Sequence, residues 1–180
     1  YISPLKSLAG DIRENLRRPL EGISREVWEQ EGVHTHLPPT LNVAVRTGDT
    51  SQKERRQMIK KPPHILITTP ESLYLMLSSK SGQNILGTAR ALIIDELHAL
   101  IGSKRGAHLM LSIARLDKLC PGPVQRIGLS ATIEPLEQAA EYLSPEPVII
   151  AAPKMQKAVS IVITSPMPQE RFLTEGSIWP

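Results

Sequence analysis

The run Ala91-Leu92-Ile93-Ile94-Asp95-Glu96-Leu97-His98 constrains this chain more than any other stretch. Apolar, β-prone residues lead straight into two acids. The spelling predicts a buried strand that delivers Asp95 and Glu96 to its carboxyl end. In open parallel α/β sheets that edge is where ligands bind. Adjacent carboxylates there suit phosphoryl chemistry. One can hold Mg²⁺, usually through water, and the next can orient or deprotonate an attacking water. A strand that merely ends in solvated acids has the same spelling, so the rest of the chain must decide.

Elsewhere strand and helix patterns alternate. Strands are expected at residues 41–46, 64–68, 90–95, 125–129 and 147–151. Helices are expected at 5–20, 51–60, 71–79, 105–119 and 134–143. The first helix sets Leu5, Leu8, Ile12 and Leu16 on one face, and the last sets Leu136, Ala139, Ala140 and Leu143. This alternation predicts an α/β fold with a doubly wound, mainly parallel sheet. Residues 21–39 read as a helix around Val27-Trp28 and then a loop ending in Pro38-Pro39. Residues 153–180 lose helical periodicity, with one strand expected at 159–164 among several prolines.

Three further stretches carry candidate chemistry. Ser3-Pro4 and Thr69-Pro70 share one grammar: a strand ends, a hydroxyl residue offers an N-cap, and proline takes the first helical position. Each exposes a helix N-terminus that can bind phosphate, and Lys6 adds charge to the first. Ordinary capping explains either site alone. Arg46-Thr47-Gly48-Asp49-Thr50 follows a strand. Gly48 there allows close approach to a phosphate, Thr47 and Thr50 can donate hydroxyls, and Arg46 is the leading candidate for a backbone contact. A plain turn fits the same residues, and the basic residues of 53–61 read as a solvated helix face. Ser130-Ala131-Thr132 ends the strand of 125–129, where small hydroxyls can exchange hydrogen bonds or cap a helix.

Taken in order, Tyr1-Ile2-Ser3-Pro4-Leu5-Lys6-Ser7-Leu8, Thr68-Thr69-Pro70-Glu71-Ser72-Leu73, the acidic run and Leu129-Ser130-Ala131-Thr132 resemble motifs Ia, Ib, II and III of superfamily 2 helicases, with the acidic run as a DExH box. Residues 45–50, 62–70, 102–109 and 125–132 are more narrowly similar to the Lhr (large helicase-related) group. The resemblance implies a RecA-like domain that binds ATP and Mg²⁺. Asp95 becomes the Mg²⁺-linked acid, through water, and Glu96 the catalytic base. His98 links the nucleotide site to Ser130 and Thr132, which couple turnover to movement. Ser3, Pro4, Lys6, Arg46, Thr47, Gly48, Thr69, Pro70, Glu71 and Arg105 fall to the nucleic-acid side.

The resemblance also implies what lies outside these residues. No G-x-x-x-x-G-K-[ST] loop occurs, and Gly102-Ser103-Lys104-Arg105-Gly106 fails that spacing. In the family the loop precedes motif Ia, and the first residue here is Tyr. The expectation is therefore a fragment: residues 1–152 as a partial first RecA-like domain, and 153–180 as a linker toward a second RecA-like domain in cis. The full protein is expected to be an ATP-dependent, repair-related motor on single-stranded or branched DNA, with RNA or a DNA/RNA hybrid as alternatives. Alone, the fragment should be nearly inert. Two rivals stay open: an RNA helicase of the DEAD/DEAH or Ski2-like type, and a non-catalytic binding or scaffold module.

Composition trims the possibilities. Aromatic residues make up 3% of the chain, which excludes base stacking as a major binding mode, and the net charge of +3 permits nucleic-acid binding without demanding it. The single Cys120 excludes an internal disulfide and a cysteine-based zinc site, and fits a reducing, cytoplasmic setting. No membrane-spanning run or signal peptide is visible. His34-Thr35-His36 lacks the partner spacing of a zinc site.

Overall fold

The computed structural model describes residues 1–31, 41–131 and 133–152. Expectations for the loop ending at Pro39, for His34 and His36, for Thr132 and for residues 153–180 lie outside the described residues. The compact unit is Tyr1–Ile150.

The elements run α1 (Lys6–Glu31), β1 (Val43–Arg46), α2 (Gln52–Lys60), β2 (Ile65–Thr68), α3 (Pro70–Leu77), α4 (Lys80–Leu86), β3 (Ala91–Ile94), a 3₁₀ turn (Leu97–Ala99), α5 (Lys104–Leu119), β4 (Gln125–Gly128) and α6 (Leu136–Leu143). β1 pairs with β2 and β3 with β4, both in parallel. Ile2 joins the two pairs by parallel bridges to Thr68 and Ile94. The order across the sheet is thus β1, β2, Ile2, β3, β4. The chain starts in the middle, crosses to one edge, and returns past its start. Such a reversal opens a crevice at the carboxyl ends of the strands that flank it, here β2, Ile2 and β3. The expected mainly parallel α/β sheet is borne out.

The main core lies where α3, α4, α5 and α6 cover the sheet. Leu73, Met76 and Leu77 of α3 meet Leu109, Ile113 and Leu116 of α5, with Leu92 and Ile94 of β3 and Leu143 of α6. Full burial of each such side chain is worth about 1.5–3 kcal/mol. α1 packs against β1 and β2. Among the described residues no helix is long and apolar enough to cross a membrane.

Several expectations need correction. The first helix does not stop near Leu20 but runs through Pro19 to Glu31 and absorbs the separate helix expected around Val27. Pro19 removes one backbone donor, and Arg17 braces this region through pairs with Glu14 and Glu21 at helical spacing. The stripe expected on the first helix is only partly buried: Leu5, just ahead of α1, is exposed, Leu8, Ile12 and Leu16 are half-buried, and the buried residues of α1 include Ala9 and Ser24. The third helix ends at Leu77, and Ser79 caps a further one, α4, by accepting from Gly82 N–H at 3.2 Å. A Cβ at Gly82 would lie 2.3 Å from the Met76 carbonyl oxygen, so α4 can turn this closely onto α3 only with glycine there. Residues 147–151 form no strand, and Ile149 is 95% exposed.

Candidate functional site

Asp95 stands one residue beyond β3. Its N–H donates to the Ile2 carbonyl at 2.9 Å, so the ladder carries it to the carboxyl edge. Its carboxylate has a donor on each oxygen. The Tyr1 hydroxyl donates to Oδ2 at 2.6 Å, and the Glu96 N–H donates to Oδ1 at 2.9 Å. Burial, then hydrogen bonding and repulsion from Asp95, hold the Tyr1 hydroxyl well above its ordinary range. It is therefore a donor throughout the working pH range.

Glu96 sits at φ 49°, ψ 47°, in the left-handed region. Among the described residues it is the sole non-glycine at positive φ. That conformation costs a residue with a Cβ about 1–2 kcal/mol and is characteristic of functional sites. It turns the chain sharply into the 3₁₀ turn, which is tied down by Leu97 N–H donating to the Leu129 carbonyl at 2.9 Å. Leu129 N–H in turn donates to the Ile94 carbonyl at 2.8 Å, knitting the ends of β3 and β4. His98 therefore lands beside Ser130: Nδ1 is 3.0 Å from Ser130 Oγ and 3.4 Å from Glu96 Oε2. Tyr1, Asp95, Glu96, His98 and Ser130 form one run of polar contacts across the carboxyl edge. Glu96 and His98 remain about one-third exposed, so solvent and ligand can reach them.

The residues expected on the nucleic-acid side fall into two groups. Ser3, Pro4, Thr47, Thr69 and Pro70 are buried. Their side chains build the surface rather than form it. Thr69 caps α3 as expected, accepting from Ser72 N–H, with Pro70 in the first turn. Ser3 does not cap: its hydroxyl donates to the Leu5 carbonyl, and α1 starts only at Lys6. The hydroxyls of Thr47 and Thr50 are used within their own turn. Thr47 Oγ1 accepts from Asp49 N–H, and Thr50 Oγ1 accepts from Thr47 N–H and donates to the Val45 carbonyl.

The second group faces outward. Lys6 Nζ pairs with Asp49 Oδ1 at 3.1 Å, and a Cβ on Gly48 would lie 3.2 Å from that ammonium. Arg105 grips the Glu71 carboxylate with Nε and Nη2, joining the first turns of α3 and α5. Hydrogen bonding from Arg105 holds Glu71 below the usual carboxylate range, and Glu71 raises Arg105 in return. Arg46 is half-buried and donates to the Thr47 carbonyl; burial, then repulsion from Arg55, lowers its pKa.

Sequence reasoning missed three contributors. Tyr1 is separated from Asp95 by 94 residues, so nothing local links them. Asp49 neutralises Lys6. Arg55, taken as part of a solvated helix face, braces the 46–50 turn by donating to the Thr50 and Gly48 carbonyls at 2.8 and 3.0 Å. The alternation of charge in the segment after Gly48 gave no sign of that reach.

No group of three or more His, Cys, Asp or Glu among the described residues could cage a metal ion.

Comparison with known proteins follows this geometry. The sequence pattern of the DEAD/DEAH box helicase family matches residues 1–140. The chain is 49% identical to the Lhr helicase/probable uracil glycosylase of Mycolicibacterium smegmatis, over 100% of this chain and 12% of that protein. It is 52% identical to the ATP-dependent helicase Lhr-Core protein 2 of Thermococcus barophilus, over 79% of this chain and 16% of that protein. In three dimensions it is similar to Mycobacterium smegmatis helicase Lhr bound to ssDNA and AMP-PNP, with a TM-score of 0.81 and 48% identity over 100% of this chain and 23% of the other. The likeness supports an incomplete RecA-like fold. The chain spans only about an eighth to a sixth of the length of these curated relatives.

Proposed function

The chain belongs to the DEAD/DEAH box helicase family, and from that premise we propose that it is part of the first RecA-like motor domain of an Lhr-type, ATP-dependent DNA helicase. The observation that carries this reading is the contact run Asp95, Glu96, His98, Ser130 at the carboxyl edge. Asp95 would hold the Mg²⁺ of bound ATP, through water. That ion supplies neutralisation of phosphate charge. Glu96, aimed by its left-handed backbone, takes the proton of the attacking water. His98 touches both Glu96 and Ser130, so a change at the nucleotide is felt at the end of β4. Ser130, with Thr132, couples that change to movement. In this reading the nucleotide would be shared with a second RecA-like domain in cis, with residues 153–180 as the linker to it in sequence.

The nucleic acid follows the outward groups. Lys6, Gly48, Arg46 and Arg105 contact the sugar-phosphate backbone of one strand, on a surface built by Ser3, Pro4, Thr47, Thr69, Pro70 and Glu71. Similarity to a helicase bound to ssDNA favours single-stranded DNA as the substrate strand. The setting is cytoplasmic.

The test uses the full-length protein. Glu96→Gln is expected to bind ATP normally and to lose hydrolysis, because the amide keeps the shape of the acid but cannot accept a proton. Asp95→Asn is expected to weaken Mg²⁺-dependent binding as well. Near-normal turnover in Glu96→Gln would remove it from the catalytic role.

A further inference from the structure

Tyr1 has no part in the function just proposed, yet it touches the acid at its centre. Its hydroxyl meets Oδ2 of Asp95 at 2.6 Å, while the Glu96 N–H meets Oδ1 at 2.9 Å. With a donor on each oxygen, rotation of the carboxylate about its Cβ–Cγ bond sacrifices one or both bonds. Its plane is fixed. The Glu96 bond also supports the left-handed backbone that aims the Glu96 side chain. Without the Tyr1 contact, Asp95 is free to turn and that support weakens.

The ring is held at its base as well. The Tyr1 carbonyl accepts from Thr68 N–H at 2.9 Å, and the next residue, Ile2, donates to the Ile93 carbonyl at 2.7 Å. The hydroxyl is therefore aimed from a strand bonded on both sides. A role in packing alone would need only the ring of a phenylalanine. The chain continues from that strand through Ser3 and Pro4 to Lys6, the first residue of α1, which pairs with Asp49.

We propose that Tyr1 is a positioning residue for the metal-linked acid: by donating to Oδ2 it orients the Asp95 carboxylate and sets how tightly nucleotide-bound Mg²⁺ is held. The inference rests on the reading of Asp95 given above. It also links the strand that reaches the nucleic-acid face to the nucleotide site through one side chain.

The test is a Mg²⁺ titration of the binding of a fluorescent, non-hydrolysable ATP analogue to the full-length protein, with turnover measured alongside. Tyr1→Phe keeps the ring and its packing. It is expected to raise the Mg²⁺ concentration at half-saturation roughly tenfold, the loss expected for one hydrogen bond to a charged group. Affinity for the analogue without Mg²⁺ should be unchanged. In an Asp95→Ala background the same substitution should add nothing, as a double-mutant cycle requires of a residue acting through its partner. An unchanged Mg²⁺ dependence in Tyr1→Phe, beside an Asp95→Ala protein that has lost it, overturns the positioning role and leaves Asp95 in place. Normal Mg²⁺ dependence in Asp95→Ala overturns the reading of the acid and, with it, the role of Tyr1.

Discussion

Around Asp95, polar groups from several strand ends aim at one another across half-buried space. Along Lys6, Asp49, Glu71 and Arg105, whole charges pair on open surface. The first region depends on direction: each contact fixes a plane or a backbone angle, and the left-handed Glu96 is accepted for the sake of where it points. The second depends on charge, and exposed pairs of this kind are worth only about 0–1 kcal/mol each. A phosphate can replace Asp49 on Lys6 at little net cost. No comparable exchange exists for the donors on Asp95. One sheet edge thus carries contacts fixed in angle next to a surface of exposed, exchangeable ion pairs.

The largest expected effect that could break this contrast is on turnover in the full-length protein. Glu96→Gln should reduce ATP hydrolysis by roughly 10²–10⁴-fold, the range for a general base. Lys6→Ala should leave turnover at saturating nucleic acid within a few-fold. A collapse of saturated turnover in Lys6→Ala would show that the outward surface is as directional as the acid site.

Next in size is a stability effect. Gly106 follows Arg105 on α5, and a Cβ there would lie 2.0 Å from the Leu100 carbonyl oxygen and 2.7 Å from the Tyr142 hydroxyl. Gly106→Ala should cost about 1–3 kcal/mol or more, read as a lowered melting temperature. An unchanged melting temperature would mean that the base beneath Arg105 yields, and that Arg105 is no better fixed than Lys6.

Nucleic-acid affinity comes third. Arg105→Ala and Lys6→Ala should each weaken single-stranded DNA binding several-fold, about equally on all sequences, and lower the salt slope by about 1. Wild-type affinity and slope in both would return these residues to a structural role.

The smallest effect concerns pH. Glu71 has its folded-state pKa lowered by Arg105. Its contribution to stability is present above the unfolded carboxylate value and is lost as pH falls through the folded value. Because the pair is largely exposed, the contribution should be well under 1 kcal/mol. Glu71→Gln should flatten only the acid limb of stability against pH, and a change near neutrality would contradict the ion-pair account.

Much of this was legible from residues alone, and for identifiable reasons. Continuous apolar runs gave β2 and β3 to within a residue or two, because buried parallel strands leave that pattern. Thr69-Pro70 was legible as a cap because both residues act within one turn. Ser3-Pro4 has the same spelling but a different structure, since Ser3 is held in the sheet by its N–H to the Thr68 carbonyl and the helix starts later. The extension of α1 through Pro19 and the helix α4, with Gly82 inside it, both run against local propensity and were missed. Residues 147–151 have strand-like composition but gain no ladder partner. The Tyr1–Asp95 contact was beyond local reading altogether: it exists only because Ile2 lies beside β3 in the finished sheet.

Ile2 has one more consequence, which is mechanical. Its segment is bonded to β2 through Ser3 and Thr68, and to β3 through Ile93 and Asp95. A strand clamped along both flanks resists bending and stretching, so a pull applied at Pro4 travels along it as a nearly rigid displacement. The Tyr1 ring lies three residues away from that point, with no loop between to absorb the motion. The same clamp ties the two halves of the sheet together, so that β1 and β2 move with the strand as one plate. In the motor proposed above, work done on one side of the edge would therefore arrive at the other as a change in position, over a path only a few peptide units long.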